Sequence, residues 1–105
     1  MKRKEFNEDI VNNAILRSKT VLAHKNDEYA GEEEVFANFK EGLGLSFHNI
    51  PEKYTWELLC KHLQSIKDII SNIENNKLPT KELLDEKFTD AHNYLYLLEG
   101  MIKER

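Results

Sequence analysis

Acidic and amide side chains recur on one side of a carboxyl-terminal segment that otherwise has helical apolar spacing. Glu86, Asp90 and Asn93 stand at positions i, i+4 and i+7, so a helix places them in one row. Two carboxylates one turn apart suit a hard cation such as Mg²⁺, which prefers oxygen ligands and keeps several of its waters. The alternative is that Glu86 is solvated and Asp90 pairs with a lysine such as Lys87.

The same segment carries two apolar stripes, and charge interrupts one of them. The stripe that we expect to face the core advances in alternating steps of four and three, through Leu84, Phe88, Ala91, Leu95, Leu98 and Ile102. The second stripe runs one position earlier and holds Lys87 and Asp90 where apolar residues are expected. Burying an unpaired charge is costly, so Asp90 is expected to have a partner, a bound ion or a wet cleft.

Two further groups of polar residues could serve a ligand. Lys61 and His62, on the preceding segment, could contact an anion, and Asp68 could add a third carboxylate to a metal site. The alternative is a hydrogen-bonded histidine at the core boundary beside ordinary surface charges. Lys25 falls on the apolar face of the first segment, where its ammonium either reaches water or joins Asp90 in a cluster for a phosphorylated ligand.

Four helical segments must position these residues, and no strand is indicated. We expect a four-helix bundle with three long helices and one short helix. The first helix is predicted from Glu5 to His24 or Lys25, and the short second helix from about Glu32 to Glu41, ended by Gly42 and Gly44. The third is predicted to begin near Pro51, and the fourth, capped by Thr80, to run to the carboxyl terminus.

Composition limits the class of protein. The 105 residues suit a single α-helical domain over 1–105, and a net charge of −4 without a basic face makes nucleic acid an improbable partner. Cys60 is the one cysteine, which excludes an intrachain disulfide and favours a reducing, cytoplasmic location. The sequence lacks an apolar run long enough to span a membrane.

The last helix also predicts self-association. One domain core needs one apolar face per helix, so a helix with two faces is either central in its bundle or covered by another subunit. On a monomer, the side chains of Tyr94, Tyr96, Leu97 and Met101 would form a large exposed apolar patch. We therefore expect a homodimer or a larger homo-oligomer.

Three short patterns resemble a known family. They are Lys25 to Tyr29 leading into Val35-Phe36-Ala37-Asn38-Phe39, the run Lys-His-Leu-Gln-Ser-Ile-Lys-Asp at 61–68, and the run from Asp85 to Leu95. Together they resemble the all-α nucleoside triphosphate pyrophosphohydrolases, the MazG-like and dUTPase-like helical bundles, as found among small phage and prophage proteins. The third pattern is the most specific, because Asp90 shortly before Asn-Tyr-Leu is similar to the family's last metal-binding helix.

The resemblance implies an Mg²⁺-dependent enzyme that cleaves a nucleotide between its α and β phosphates. It assigns metal binding to Glu86, Asp90 and Asp68. It assigns nucleotide binding to Lys25, Tyr29 and Asn38. Lys61 would neutralise phosphate, and His62 and Asn93 would orient ligand or water.

The chain departs from the family at the first acidic pair. The family has two glutamates three residues apart on the preceding core helix, where this chain offers Glu57, Lys61 and Asp68. A two-metal site without one acidic pair favours a second hypothesis. In that hypothesis the protein is a non-catalytic phage accessory protein that acts as a helical protein–protein interaction module.

Overall fold

The structure, a computed structural model, describes the backbone of residues 1–29 and 34–105 and the side chains of residues 1–24 and 34–105. These residues form an all-α bundle of four helices without a strand. Helix α1 spans residues 3–29 as Arg3–Glu5, a π-helical stretch Phe6–Asn12 and Asn13–Tyr29; the others are α2 (Ala37–Leu45), α3 (Pro51–Glu74) and α4 (Lys81–Glu104). The predicted bundle of three long helices and one short helix is confirmed. Within the described residues, no helix has the length and apolar character needed to cross a bilayer.

Local sequence signals set the ends of α3 and α4. Pro51 occupies the first position of α3, as predicted, since its fixed φ suits a helix start. The hydroxyl of Thr80 accepts a hydrogen bond from the backbone N–H of Leu83 at 3.1 Å, which confirms the predicted cap of α4. Asn76 adopts a left-handed φ of 63°, and Lys77 N–H donates back to the Asn72 carbonyl at 2.8 Å. The turn between α3 and α4 is thus closed by a Schellman-type cap.

The bounds of α1 and α2 differ from the prediction. Helix α1 starts at Arg3 and continues to Tyr29, past the expected end at His24 or Lys25. Helix α2 begins at Ala37 rather than near Glu32, a residue that lies outside the described range. The prediction that Gly42 and Gly44 end this helix was wrong, because neither of these two glycines adopts a positive φ and the helix continues through both.

Helix α4 lies in the middle of the bundle. Helix α3 packs antiparallel along one side of it and α1 packs on another side, while α2 packs on α3. The hydroxyl of Thr55 donates to the Met101 sulfur at 3.3 Å, and Arg105 bonds Glu52 at the same end of the pair. The buried apolar side chains among the described residues are Phe36, Leu59, Ile69, Ala91 and Met101. The core is therefore narrow, and it follows the line where α3 meets α4.

The predicted core-facing seam of α4 is mostly exposed, so this prediction was wrong. Leu84 and Phe88 are each 37% exposed, Leu95 is 47% and Ile102 57%, and Ala91 is the seam residue that is fully buried. The stripe one position earlier packs on α3 along its carboxyl-terminal part, with Met101 buried and Tyr94 half-buried, whereas Leu83 at its start is 39% exposed. Helical periodicity identified which residues share a face, but the neighbouring helices lie beside a different face.

The amino-terminal part of α1 forms an arm, defined here as residues 3–12. Every side chain from Met1 to Asn13 is exposed. The π-helical stretch, with its longer repeat, keeps Phe6, Ile10 and Val11 on one side of the arm. These three side chains are between 37% and 49% exposed, so packing against the bundle contributes little to the stability of the arm.

Alanine substitutions at the two glycines of α2 should have opposite effects. Gly44→Ala is expected to raise the free energy of unfolding by up to about 1 kcal/mol, the usual advantage of alanine over glycine inside a helix. Nothing lies within 4 Å of the position that its Cβ would take. A Cβ at Gly42 would stand 2.5 Å from the Tyr54 hydroxyl oxygen and 2.7 Å from its ring. Gly42→Ala should therefore destabilise by about 1 kcal/mol or more.

Urea unfolding followed by circular dichroism measures both variants against the parent. The two variants control for each other, because both replace a helical glycine two residues apart in α2. Equal stabilisation by both would show that Tyr54 does not pack against Gly42.

Candidate functional site

A groove between α1 and α4 contains two of the predicted metal ligands. Its volume is about 660 Å³. Helix α4 contributes Glu86 and Asp90, together with Asp85 and Thr89. Helix α1 forms the opposite wall with Leu16, Arg17, Thr20 and Val21. The i, i+4 spacing of Glu86 and Asp90 therefore does place both carboxylates on one surface, as predicted.

Arg17 is the cation of this groove. Its Nε donates to the Thr89 hydroxyl at 3.3 Å, and its Nη1 lies 3.6 Å from a carboxylate oxygen of Asp85. The Asp85 carboxylate also accepts a hydrogen bond from the Lys81 ammonium at 3.0 Å, so Arg17 and Lys81 share it. Among the described residues that line the groove, three carboxylates of α4 therefore lie near one guanidinium of α1.

Arg17 was not predicted as a site residue, although the sequence carries a signal for it. Arg17 follows Ala14 by three residues and precedes Val21 by four, so it lies on the apolar face of α1. It is thus the α1 counterpart of Asp90 on α4: a charge in an apolar stripe. Applied to α1, the criterion that singled out Asp90 would have selected Arg17.

Asp90 also faces α3, where it meets His62. The Nδ1 atom of His62 lies 3.8 Å from an Asp90 carboxylate oxygen, within ion-pair distance when the imidazole is protonated. The His62 ring stacks on Tyr94 with centroids 4.6 Å apart, and Phe39 of α2 meets Tyr94 edge-on at 6.0 Å. Burial, and then the charge of Asp90, raise the pKa of the Tyr94 phenol. Asp90 therefore links the groove to the α3–α4 contact.

Asn93 lies one turn beyond Thr89 and is nearly inaccessible, with 5% of its surface exposed. Neither its amide nitrogen nor its amide oxygen has a hydrogen-bond partner in the part of the chain that the structure describes. Ser18 on α1 is 2% exposed, and its hydroxyl also has no hydrogen-bond partner among the described residues. A buried polar group without a partner typically costs about 1–3 kcal/mol. The region around α1 and α4 therefore holds polar groups that packing alone does not explain.

Other predicted site residues lie apart from this groove. Asp68 is exposed on α3, where it accepts a hydrogen bond from Gln64 at 2.9 Å, and it does not line the groove. Lys61 and Asn38 are also exposed. The side chains of Lys25 and Tyr29 lie outside the described residues. The structure thus brings His62, Glu86 and Asp90 to one region of α4, with Asn93 adjoining.

The three predicted metal ligands do not form one cluster. Across residues 1–24 and 34–105, no group of three or more His, Cys, Asp or Glu side chains is arranged to hold a metal ion. The physical reason is the position of Asp68 on the exposed surface of α3, whereas Glu86 and Asp90 face α1.

The chain was compared with family models, with curated proteins and with solved structures. None of the three comparisons found a match.

Removing the unpaired amide of Asn93 should stabilise the protein. Asn93→Leu keeps the number and branching of the side-chain heavy atoms and eliminates two buried polar atoms, so the free energy of unfolding is expected to rise by about 1–3 kcal/mol. Denaturant unfolding measures this change. Asn72→Leu on the exposed surface of α3 is the control and should change stability by no more than about 0.5 kcal/mol. A loss of stability in Asn93→Leu would show that the amide is hydrogen-bonded in solution.

The raised pKa of Tyr94 predicts a pH-dependent loss of stability. A folded-state pKa above the unfolded value of about 10 means that the folded protein retains the phenolic proton more strongly. The resulting stability is fully present below about pH 10 and is lost as the pH rises through the folded pKa. The parent should therefore lose stability relative to Tyr94→Phe in alkaline solution.

Ultraviolet titration of tyrosinate absorbance separates the contribution of Asp90 from those of burial and of Tyr54. The chain has four tyrosines, and subtraction of the Tyr94→Phe curve isolates the Tyr94 signal. Asp90→Asn removes the charge that ranks second to burial, so it should lower the Tyr94 pKa while burial keeps it above the ordinary value. A Tyr94 pKa that does not respond to Asp90→Asn would contradict the proximity of the two side chains.

Proposed function

We propose that this protein binds a nucleotide together with Mg²⁺ in the α1–α4 groove. It would be a nucleotide pyrophosphohydrolase-like or nucleotide-binding protein of phage or prophage origin, acting in the cytoplasm. The observation that carries the proposal is the opposition of Glu86 and Asp90 to Arg17 across the groove. Carboxylates on one wall suit a divalent cation, and a guanidinium on the other suits a phosphate.

The number of carboxylates agrees with Mg²⁺ bound together with a phosphorylated ligand. Mg²⁺ in such sites usually keeps several waters and takes one or two protein carboxylates plus phosphate oxygens. Glu86 and Asp90 can supply those two carboxylates without a third side chain. The absence of a three-residue cluster in the described part of the chain is therefore compatible with this mode, whereas a cage formed by the protein alone would need more ligands.

Arg17 would exchange partners when an anion binds. In the protein alone it lies 3.6 Å from Asp85, and about a third of each of these two side chains or less is exposed. A phosphate gives a guanidinium two acceptors in a planar geometry, which is stronger than one long contact to a carboxylate. Asp85 would still keep Lys81 as its partner at 3.0 Å.

The dimensions of the groove also support a small-molecule ligand. A volume of about 660 Å³ falls within the range of about 300–1,000 Å³ that is common for ligand pockets. The aliphatic wall formed by Leu16 and Val21 could cover an apolar part of the ligand. His62 lies behind Asp90 and would hold that carboxylate in position rather than contact the ligand from within the groove.

A second candidate function is favoured by the arm and by the exposed apolar residues of the bundle. Phe6, Ile10 and Val11 form an amphipathic helical surface of the kind that inserts into a groove of another protein. On this view the protein is a non-catalytic interaction module, and the charges of the groove are solvated. Homo-oligomerisation, which the sequence predicts, is compatible with both candidates and remains a proposal.

A thermal-shift screen with nucleoside mono-, di- and triphosphates, each with and without Mg²⁺, tests the first proposal. A ligand present at a hundredfold excess over its Kd stabilises the folded state by about 2.7 kcal/mol, which raises the Tm. We expect Mg²⁺-dependent stabilisation by one class of nucleotide, followed by an assay of phosphate release from that nucleotide.

Variants then assign the effect to the groove. Glu86→Gln and Asp90→Asn should abolish the Mg²⁺-dependent shift, whereas Glu74→Gln, an exposed substitution at the end of α3, should retain it. A screen without any shift, or a shift unchanged in both groove variants, would overturn the nucleotide proposal and favour the interaction module.

A further inference from the structure

The exposed seam of α4 continues onto α3 and forms one apolar surface. We call it the α3–α4 face and define it by Trp56, Leu63 and Ile70 on α3 and Leu84, Phe88, Leu95 and Ile102 on α4. All seven side chains are between 37% and 62% exposed. The contacts between α3 and α4 show that these residues lie on the same side of the helix pair.

On each helix, face residues directly follow residues that pack between the helices. On α3, Thr55 and His62 contact α4, and Trp56 and Leu63 come next in sequence. On α4, Tyr94 and Met101 contact α3, and Leu95 and Ile102 follow. One residue corresponds to a rotation of about 100° around a helix. Because the two helices are antiparallel, the same rotation on both turns the two rows toward the same side of the pair.

The opposite side of the pair is covered by the rest of the chain. There the residues that directly precede the inter-helix contacts meet α1 and the start of α2. Arg17 bonds Thr89, which precedes Asp90. Phe36 lies against Gly100, which precedes Met101, and Gly42 lies against Tyr54, which precedes Thr55. Helices α1 and α2 therefore pack on one side, while the α3–α4 face lies on the other.

The spacing within the face is that of helix–helix packing. Trp56, Leu63 and Ile70 repeat every seven residues, and the seam of α4 advances in alternating steps of four and three. Both patterns correspond to the 3.5-residue repeat of helices that pack at a small angle in bundles. The seam from Leu84 to Ile102 contains apolar residues alone at its six positions and extends about 27 Å along α4.

We infer that the α3–α4 face binds the same face of a second copy of this chain. The two antiparallel pairs would then form a four-helix core around a two-fold axis, in which each face supplies the partner that the other lacks. The exposed apolar area is roughly 650 Å² if a fully exposed large side chain is taken as about 200 Å². That value exceeds the largest patches of most monomers, about 300–600 Å², and approaches the roughly 800 Å² per partner of a stable interface.

The α3–α4 face is a different surface from the oligomer contact that the sequence predicts. The sequence placed the oligomer contact at Tyr94, Tyr96, Leu97 and Met101, but Met101 is buried against α3 within one chain. The proposed dimer does not depend on the nucleotide proposal, because the groove lies between α1 and α4 on the covered side of the helix pair.

Sedimentation velocity on ligand-free protein over a dilution series tests the inference. We expect a two-copy mass at high concentration that dissociates on dilution. Leu63→Glu and Leu95→Glu should weaken the dimer at least a hundredfold, since each places a charge in the apolar interface twice. Ile10→Glu on the arm is the matched control and should leave the dimer intact, since Ile10 is 45% exposed and Leu95 47%.

Trp56 gives a second readout that requires no variant. It is the one tryptophan of the chain and belongs to the face, so its emission should shift to longer wavelength as the dimer dissociates. A monomer at every concentration would overturn the inference. So would a dimer that Ile10→Glu disrupts while Leu63→Glu and Leu95→Glu do not. Because nucleotide is absent from the experiment, failure here would leave the thermal-shift test of the groove unaffected.

Discussion

The antiparallel contact between α3 and α4 determines the rest of the structure. Thr55 bonds Met101 near one end, and His62 meets Asp90 and Tyr94 near the middle. Once these residues face each other, the residue before each contact turns to one side of the pair and the residue after it to the other. Helices α1 and α2 pack on the first side. The second side carries the α3–α4 face, so a single register divides α4 into a polar flank and an apolar flank.

This division explains why α4 tolerates polar residues at central positions. Thr89 and Asn93 are buried on the side of α1, where Thr89 finds a donor in Arg17 and Asn93 finds no partner among the described groups. Folding stability alone would favour apolar side chains there, since unpaired buried amides are destabilising. Buried polar groups are normally hydrogen-bonded, so the unpaired amide of Asn93 marks a place near the groove of Glu86 and Asp90 where a polar partner would be favourable.

Features set by neighbouring residues could be predicted from the sequence. Features set by contacts between distant residues could not. Pro51 and Thr80 act within one helical turn, so the starts of α3 and α4 were predictable from a few residues. Gly42 was misjudged because its role depends on Tyr54, twelve residues away, whose ring requires a small neighbour. Periodicity found the row of Glu86 and Asp90. It could not show that Arg17 lies opposite them, nor that Asp68 faces solvent, because both facts depend on how the helices are arranged in space.

The narrow core gives a physical reason to expect a further apolar contact on one side of α4. A compact chain of 105 residues has a radius of gyration near 13 Å, whereas this chain has 15.7 Å, so less of its surface is removed from water. Few apolar side chains are fully buried, and a chain of this size gains most of its stability from such burial. Covering the α3–α4 face would add apolar burial without touching the groove, because the two surfaces lie on opposite flanks of α4. Self-association could therefore stabilise α4 while leaving its carboxylates accessible, and a ligand in the groove would meet a helix already held from the other side.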